Sequence, residues 1–196
     1  MNKYMETVIN WMILQDVINE KEKELYEYAI YSSILTILPL LFAVGIGFCF
    51  GSIKRGITIV IPFMILRKYS GGYHTKKFSH CVIGSGLLLF LCIMFSMQIK
   101  FDWRLVLVTV VASVSLIVFS PVGNGNRKLD EVEYCIYKKT VSGLICLLNV
   151  LGIILFLRGF YKAITCMCIG VIMTAGLQLP CVIKAWRMIR KFNTQK

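Results

Sequence analysis

Five stretches of this chain contain no Asp, Glu, Lys, Arg or His, and they constrain its fold more than any other feature. They cover residues 29–52, 82–99, 105–120, 141–157 and 163–183. An apolar helix of about 20 residues is long enough to cross a bilayer, where every backbone polar group must be bonded within the protein. The sequence therefore predicts an all-α fold, a polytopic membrane bundle of helices.

The composition supports this interpretation. The chain has 196 residues, of which 57% are hydrophobic and 16% charged, and its mean hydropathy is +0.72. A soluble domain carries about a quarter charged residues. The net charge of +12 suits basic loops that meet anionic membrane lipid, and no nucleic-acid-binding motif accompanies it. We therefore expect anionic lipid as a partner and no nucleic acid.

Hydropathy divides the chain into about six segments, and the second is short enough either to span at a tilt or to re-enter. The predicted segments are 26–50, 56–66, 81–99, 103–121, 141–157 and 161–183. With the N-terminus inside, 16 of the 22 Lys and Arg residues fall on the predicted inner side and 6 on the outer side. This asymmetry predicts that both termini are cytoplasmic. Loops 67–80 and 122–140 then share the cytoplasmic face.

Three parts of the chain differ in composition. Residues 1–23 place Ile9, Ile13 and other apolar residues at helical spacing, which predicts an amphipathic N-terminal helix. Residues 24–183 form one polytopic domain, and residues 184–196 form a basic cytoplasmic tail. The first 25 residues lack the apolar core of a cleavable signal peptide.

One polar stretch, residues 67–81, is the strongest candidate for chemistry. It reads Arg-Lys-Tyr-Ser-Gly-Gly-Tyr-His-Thr-Lys-Lys-Phe-Ser-His-Cys. A nucleophilic cysteine needs a nearby base or a positive potential that stabilises its thiolate. His74 is a candidate base, and Ser79 is a candidate N-cap that puts Cys81 in the first turn of the next helix, where the helix dipole favours an anion. Four cations add to that potential: Arg67, Lys68, Lys76 and Lys77.

The spacing of His74 and Cys81 constrains how they can meet. Seven residues of continuous helix separate two side chains by about 10 Å, which exceeds hydrogen-bond reach. The backbone must therefore bend between them, and Gly71 and Gly72 permit this because glycine adopts dihedrals closed to other residues. His80 is a competing base, although neighbouring helical residues point in different directions. A purely structural His and Cys is the alternative.

The pattern Arg67-x-x-Ser70-Gly71-Gly72-x-His74-x6-Cys81, between apolar segments, resembles the accessory gene regulator protein B (AgrB) family of membrane cysteine endopeptidases in Gram-positive quorum sensing. A weaker match follows at Pro121-x-x-Asn124-x-Asn126-Arg127-x-Leu129-x-x-x-Glu133, where Lys128 replaces the proline frequent in the family. The specific part of the resemblance is the fifteen-residue stretch 67–81.

The resemblance implies that His74 is the general base and Cys81 the nucleophile. The family removes the acidic C-terminal tail of a short, AgrD-like signal propeptide and holds the remainder as a thioester. An internal cysteine or serine then closes a thiolactone or lactone ring. The resemblance also implies a bacterial cell membrane location, no cofactor and no metal. For the cysteines at 166 and 168, which lie in an apolar run, packing is favoured over metal ligation.

Several supporting roles remain open. Arg67, Lys76 and Lys77 are expected to attract the acidic tail. Asp130, Glu131 and Glu133 are candidate partners that orient His74, with Asn124 and Asn126 as alternatives. Ser70, Gly71 and Gly72 complete the predicted site.

Two other classes of protein were weighed. A small transporter would place ionisable residues within its spans, and the five uncharged stretches argue against a proton- or ion-coupled pump. A membrane scaffold would make His74 and Cys81 dispensable. A homodimer is suggested by small residues in the first segment, Ala43, Gly45 and Gly47.

Overall fold

The computed structural model describes residues 3–15, 18–71, 78–122 and 130–194, and these residues form seven α-helices, one 3₁₀ turn and no β-strand. The helices are α1 (Lys3–Leu14), α2 (Lys23–Cys49), α3 (Ile53–Ser70), α4 (Phe78–Gln98), α5 (Trp103–Phe119), α6 (Glu131–Leu157) and α7 (Tyr161–Thr194), with the 3₁₀ turn at Glu20–Glu22. The all-helical prediction is confirmed for this part of the chain.

The chain forms two compact units, Met1–Leu38 and Pro39–Lys196. In the first unit, α1 ends at Leu14 although apolar spacing continues to Ile18. Asn19 adopts extended dihedrals, φ −80° and ψ 149°, before the 3₁₀ turn. Ile9 and Ile18 are buried, and the Lys23 ammonium donates to Asn10 Oδ1 at 3.1 Å.

In the second unit, α3 and α7 lie at the centre of the packing. α7 packs against α3, α4, α5 and α6, and α3 also packs against α4 and α6. One apolar cluster joins Ala43, Ile59, Leu89 and Cys166, and the other joins Leu66, Leu116, Val141 and Ala175, each with further members. α3 approaches α7 closely at Gly170, where an added Cβ would lie 2.5 Å from the Ile59 carbonyl oxygen.

The helices of this unit run between two ends. We call the first the turn end, because short connections at Gly51–Ser52, 99–102 and 158–160 lie there. Arg55 donates to the Ser96 carbonyl at 3.2 Å, and the Phe101 ring lies 5.6–5.8 Å from the rings of Phe156 and Tyr161. The opposite end, where α3 and α5 finish and α4 and α6 begin, we call the loop end.

Several helices extend beyond the hydropathic segments into the charged residues that flank them. Segment 56–66 becomes an 18-residue helix, α3, which runs continuously from the turn end to the loop end. α6 begins ten residues earlier than segment 141–157, and α7 continues past 183 through the basic residues to Thr194. Charged residues end a hydrophobic run, but Lys, Arg and Glu are good helix formers.

Two helical stretches are long and apolar enough to cross a membrane among the described residues, Glu131–Leu157 and Tyr161–Lys184. The apolar portions Ile37–Cys49, Val82–Gln98 and Trp103–Phe119 are shorter. The count of six spans therefore stays a prediction.

The small residues that suggested a homodimer pack mainly within the chain. Ala43 is fully buried, and an added Cβ at Gly56 would collide with the Ala43 carbonyl oxygen. Gly47 is also buried, whereas Gly45 faces open space. The homodimer stays a prediction, and this group of small residues no longer supports it.

Candidate functional site

The two segments that resemble the family pattern, 67–81 and 121–133, are joined at the loop end by backbone pairing. The Val122 N–H donates to the Ser70 carbonyl at 3.0 Å, and Gly71 and Val122 form an isolated parallel β-bridge. Gly71 has φ +73°, and an added Cβ would collide with the Val122 carbonyl oxygen. Only glycine fits this backbone position without strain. The end of α3 is thereby fixed to the segment that follows α5.

A layer of buried polar side chains lies directly beneath this pairing. Ser70 and Ser120 are fully buried, each one helical turn beyond an apolar cluster residue, Leu66 and Leu116 respectively. Gln178 of α7 is only 1% exposed, and its Nε2 donates to Ser120 Oγ at 3.0 Å. Its Oε1 is buried and has no hydrogen-bond partner among the residues that the structure describes. We call Ser70, Ser120 and Gln178 the polar layer.

Arg67 lies at the edge of the polar layer, in the last turn of α3. Its guanidinium carbon is 5.7 Å from the centre of the Phe63 ring, a cation–π contact. It also interacts electrostatically with Cys181, one turn beyond Gln178 on α7. The predicted substrate-binding cation is therefore held by packing against its own helix.

Cys81 lies in the first turn of α4, as the sequence predicts. The helix begins at Phe78, so Ser79 lies inside it. The prediction of Ser79 as the N-cap is therefore wrong. Only the backbone of Cys81 is described. The unpaired N–H groups and the dipole at a helix N-terminus favour an anion there.

The depth of Cys81 relative to the polar layer follows from the packing of α4 on α7. Cys92 Sγ and Met173 Sδ are 3.5 Å apart and mark equal height on the two helices. At 1.5 Å per residue, Cys81 lies about 16 Å from that mark and Gln178 about 8 Å. Cys81 is therefore about 9 Å further from the bundle centre than the polar layer, near the level of Lys184.

Several predicted site residues lie outside the described part of the chain. They are Gly72, His74, Lys76 and Lys77 in the first loop, and Asn124 and Asn126 in the second. His74 comes three residues after Gly71 in the sequence. The acidic candidates Asp130, Glu131 and Glu133 are described at the start of α6: Asp130 is its N-cap, and Oδ1 accepts from the Glu131 N–H at 2.8 Å. The carboxylate of Asp130 thus has a local structural role.

An apolar cavity of about 690 Å³ lies elsewhere, between α5, α6 and α7. Its lining includes Phe101, Trp103 and Phe156 and reaches the turn end. Val171 and Ser113 mark its inner limit. Hydrocarbon suits such a lining, and no predicted site residue contributes to it.

A comparison with protein-family models matches the accessory gene regulator B (AgrB) family over residues 5–180. The chain belongs to the AgrB family. Two relatives from Clostridium perfringens are named as AgrB-like: a putative AgrB-like protein of strain SM101, 29% identical over 83 residues, and a putative AgrB-like protein 2 of strain 13, 28% identical over 83 residues. Each match covers 42% of this chain and 38% of the relative. No solved structure matches significantly.

The AgrB match includes both loop segments and also Gln178, which the sequence interpretation missed. Ser120 was missed as well. A signal existed, because Gln178 carries the one side-chain amide within the uncharged stretch 163–183. A buried amide in such a stretch needs a hydrogen-bond partner and marks an interaction.

Proposed function

We propose that this AgrB-family chain is a membrane cysteine endopeptidase that removes the C-terminal tail of an AgrD-like quorum-sensing propeptide and permits its cyclisation. The single observation that carries the proposal is the pairing of Gly71 with Val122. It holds two parts of the family pattern, about 50 residues apart in sequence, at the end of the bundle where α4 begins. Cys81 lies in the first turn of that helix. A catalytic site assembled from distant segments needs such a fixed junction.

The proposed chemistry uses two residues. His74 takes the proton of the Cys81 thiol, and the thiolate attacks the scissile carbonyl of the propeptide. The C–N bond breaks, the amine of the tail takes the proton from His74, and the remaining peptide stays attached to Cys81 as a thioester. An internal cysteine or serine of the peptide then gives its proton to His74 and attacks the thioester. The bond to Cys81 breaks, its thiolate recovers the proton, and a thiolactone or lactone ring is released.

The loop end suits this chemistry electrostatically. Arg67 and Lys68 occupy the last turn of α3, and the first turn of α4 offers its positive dipole to the Cys81 thiolate. In our proposal, the same positive charge binds the acidic tail of the propeptide, with Lys76 and Lys77 contributing from the intervening loop. Gly72 supplies the freedom for His74 to approach Cys81.

We further propose that α2 to α7 cross a bacterial cell membrane as six spans, with both termini and the loop end in the cytoplasm. The excess of Lys and Arg on these segments supports that orientation. The same residues would contact anionic lipid headgroups. Homodimer formation belongs to the proposal but has no support in the packing described above.

The test is co-expression of the full-length chain with an AgrD-like propeptide that carries an internal cysteine and an acidic tail. Release of the tail is followed by mass spectrometry for wild type, His74→Ala and Cys81→Ser. We expect both variants to abolish release, a loss of about 10³-fold or more, because a nucleophile and its base act as a unit.

A matched control is Cys92→Ser, which changes a thiol on the same helix inside the bundle. It should leave tail release intact if the variant is present in the membrane at wild-type level. Processing that survives both His74→Ala and Cys81→Ser would remove the peptidase proposal and favour a transporter or scaffold.

A further inference from the structure

We propose that Gln178 is a substrate-binding residue, whose side-chain oxygen accepts a hydrogen bond from a backbone N–H of the propeptide. This inference depends on the proposed peptidase function and names a binding point for its substrate. The site consists of Gln178, Ser120 and the paired backbone of Gly71 and Val122, all within the described residues.

The first argument is the hydrogen bonding of Gln178 itself. Its Nε2 bonds Ser120 Oγ at 3.0 Å, which fixes the amide and leaves Oε1 buried without a partner among the described residues. A buried carbonyl oxygen that has lost water and gained no donor is unfavourable. Thr174, one turn earlier on the same helix face, differs: its hydroxyl bonds the Gly170 carbonyl at 2.9 Å. The polar side-chain atom of Thr174 therefore has a partner, whereas the Gln178 oxygen has none among the described residues.

The second argument is the backbone next to this acceptor. Ser120, to which Gln178 is bonded, precedes the cis-linked Pro121 and the extended residue Val122, which pairs with Gly71. The pairing is isolated among the described residues and belongs to no larger sheet. Extended peptides bind by adding a strand to backbone that belongs to no larger sheet, and acceptors beside the strand take its N–H groups. A peptide chain is thus the ligand whose donors suit this site.

The third argument is depth. The polar layer is about 9 Å closer to the bundle centre than Cys81, as the register of α4 and α7 gives. An extended peptide advances about 3.3 Å per residue. Because 9 Å is the separation along the bundle axis alone, a propeptide with its scissile bond at Cys81 would present to Gln178 an N–H at least about three residues away from that bond.

The experiment uses the full-length chain in liposomes and a synthetic propeptide with an internal cysteine and an acidic tail. In a series of propeptides, one backbone N–H at a time, within four residues of the scissile bond, is replaced by an ester oxygen. With wild type, we expect one ester, at least about three residues from the scissile bond, to raise KM about 10-fold, which is the value of one hydrogen bond. With Gln178→Leu, KM for the unmodified propeptide should rise about 10-fold and that same ester should have no further effect.

Three controls separate binding from a structural role. Thr174→Val removes a buried hydroxyl that is satisfied within α7 and should leave KM unchanged. Ser120→Ala keeps the Gln178 oxygen but releases the amide from its fixed position, so the ester should still raise KM, by a smaller factor than with wild type. The thermal unfolding temperature of Gln178→Leu in detergent should fall no further than that of Ser120→Ala, because each variant breaks the same buried bond between Gln178 and Ser120. Gln178→Met provides a second variant with the same expectation if the leucine variant does not fold.

The outcomes are distinguishable. If wild type does not cleave the propeptide at all, the proposed function fails and this inference with it. If wild type cleaves the propeptide but no ester raises KM, the peptidase stands and the role of Gln178 is overturned. The same conclusion follows if each ester that raises KM with wild type raises it by the same factor with the Gln178 variants. A fall of kcat in Gln178→Leu, together with an unfolding temperature below that of Ser120→Ala, would assign Gln178 a structural role and would also overturn the inference.

Discussion

The two ends of the helical bundle satisfy their polar groups in different ways. At the turn end, the backbone of the short connections is satisfied by local caps and turns, as where the Asp102 carboxylate accepts from the Trp103 N–H at 2.7 Å. The long-range contacts there are made by side chains, Arg55 to the Ser96 carbonyl and Phe101 to Tyr161. At the loop end, the partners are distant in sequence, since Val122 bonds Ser70 and Gln178 bonds Ser120. Local closure needs only helix caps and turns. Long-range closure fixes segments relative to one another, and that is what a site assembled from several loops requires.

Positively charged residues lie at both ends of the bundle. Arg67 and Lys68 end α3 at the loop end, and α7 extends there with Lys184, Arg187 and Arg190. The turn end has Lys54, Arg55, Lys100, Arg104, Arg158 and Lys162, but its larger feature is the apolar cavity between α5, α6 and α7. Paired variants, one at each end, can therefore separate effects on chemistry from effects on folding.

The largest contrast is expected for glycine to alanine changes at two positions with the same φ. Gly71 and Gly159 both have φ +73°, so alanine is strained at either position, and at Gly71 the ψ of −161° adds to the strain because that combination is essentially restricted to glycine. Only at Gly71 would the added Cβ meet the Val122 carbonyl; nothing lies within 4 Å at Gly159. Gly71→Ala should therefore lower kcat/KM for tail release about 100-fold, because a displacement of about 1 Å suffices for such a loss.

The measurement for this pair is kcat/KM in liposomes together with the thermal unfolding temperature. Gly159→Ala should lose stability but retain kcat/KM within about 3-fold of wild type. Equal losses of activity at the two glycines would show that the Gly71–Val122 pairing has no special part in the site.

Arginine to lysine changes give the next contrast. Arg67 is held over the Phe63 ring at the loop end, whereas Arg55 bonds the Ser96 carbonyl at the turn end. A guanidinium can bind a carboxylate through two parallel hydrogen bonds and an ammonium cannot. Arg67→Lys should raise KM for a propeptide with an acidic tail about 10-fold, and a tail of neutral residues should remove the difference. Arg55→Lys should leave KM unchanged; an equal rise there would contradict the tail-binding role of Arg67.

A smaller effect is expected for the lysines of the first loop. Lys76→Gln with Lys77→Gln should raise KM about 3-fold at low salt and weaken its salt dependence, because exposed charges attract an acidic partner through a screened field. The control is Lys54→Gln with Lys100→Gln at the turn end, with the same loss of charge. If the control pair raises KM as much, net charge alone attracts the propeptide. An unchanged KM in both double variants would exclude electrostatic attraction by the first loop.

The fold was largely accessible from hydropathy because each helix of the second unit contains an apolar run. The starts of α5 and α7 were predicted to the residue, at Trp103 and Tyr161. The errors lie where helix and apolar run diverge, as in α3, whose charged ends remain helical, and in α7 beyond residue 183. Hydropathy reports the solvent of a segment, and helix formation continues beyond it wherever propensity and capping allow.

Only part of the candidate site could be predicted from the sequence. Motif spacing identified Gly71 and the first-turn position of Cys81, since these depend on local sequence. The polar layer was not predicted, because Ser120 and Gln178 are 58 residues apart and nothing in either segment specifies the other. The importance of Gly71 is likewise explained by Val122 and not by its neighbours. The roles of His74 and Cys81 stay predictions.

The smallest expected effect concerns the acidic candidates for a third catalytic group. Asp130 and Asp102 cap α6 and α5 in the same way, with Oδ1 to backbone N–H distances of 2.8 and 2.7 Å. Alanine at either position should lower the free energy of unfolding by about 1 kcal/mol, whereas asparagine, an equally good N-cap, should not. Because capping already accounts for Asp130, we expect Asp130→Asn to retain tail release within about 2-fold, as Asp102→Asn does. A loss of 100-fold or more confined to Asp130→Asn, with stability unchanged, would instead make its negative charge the partner of His74 and turn the proposed dyad into a triad.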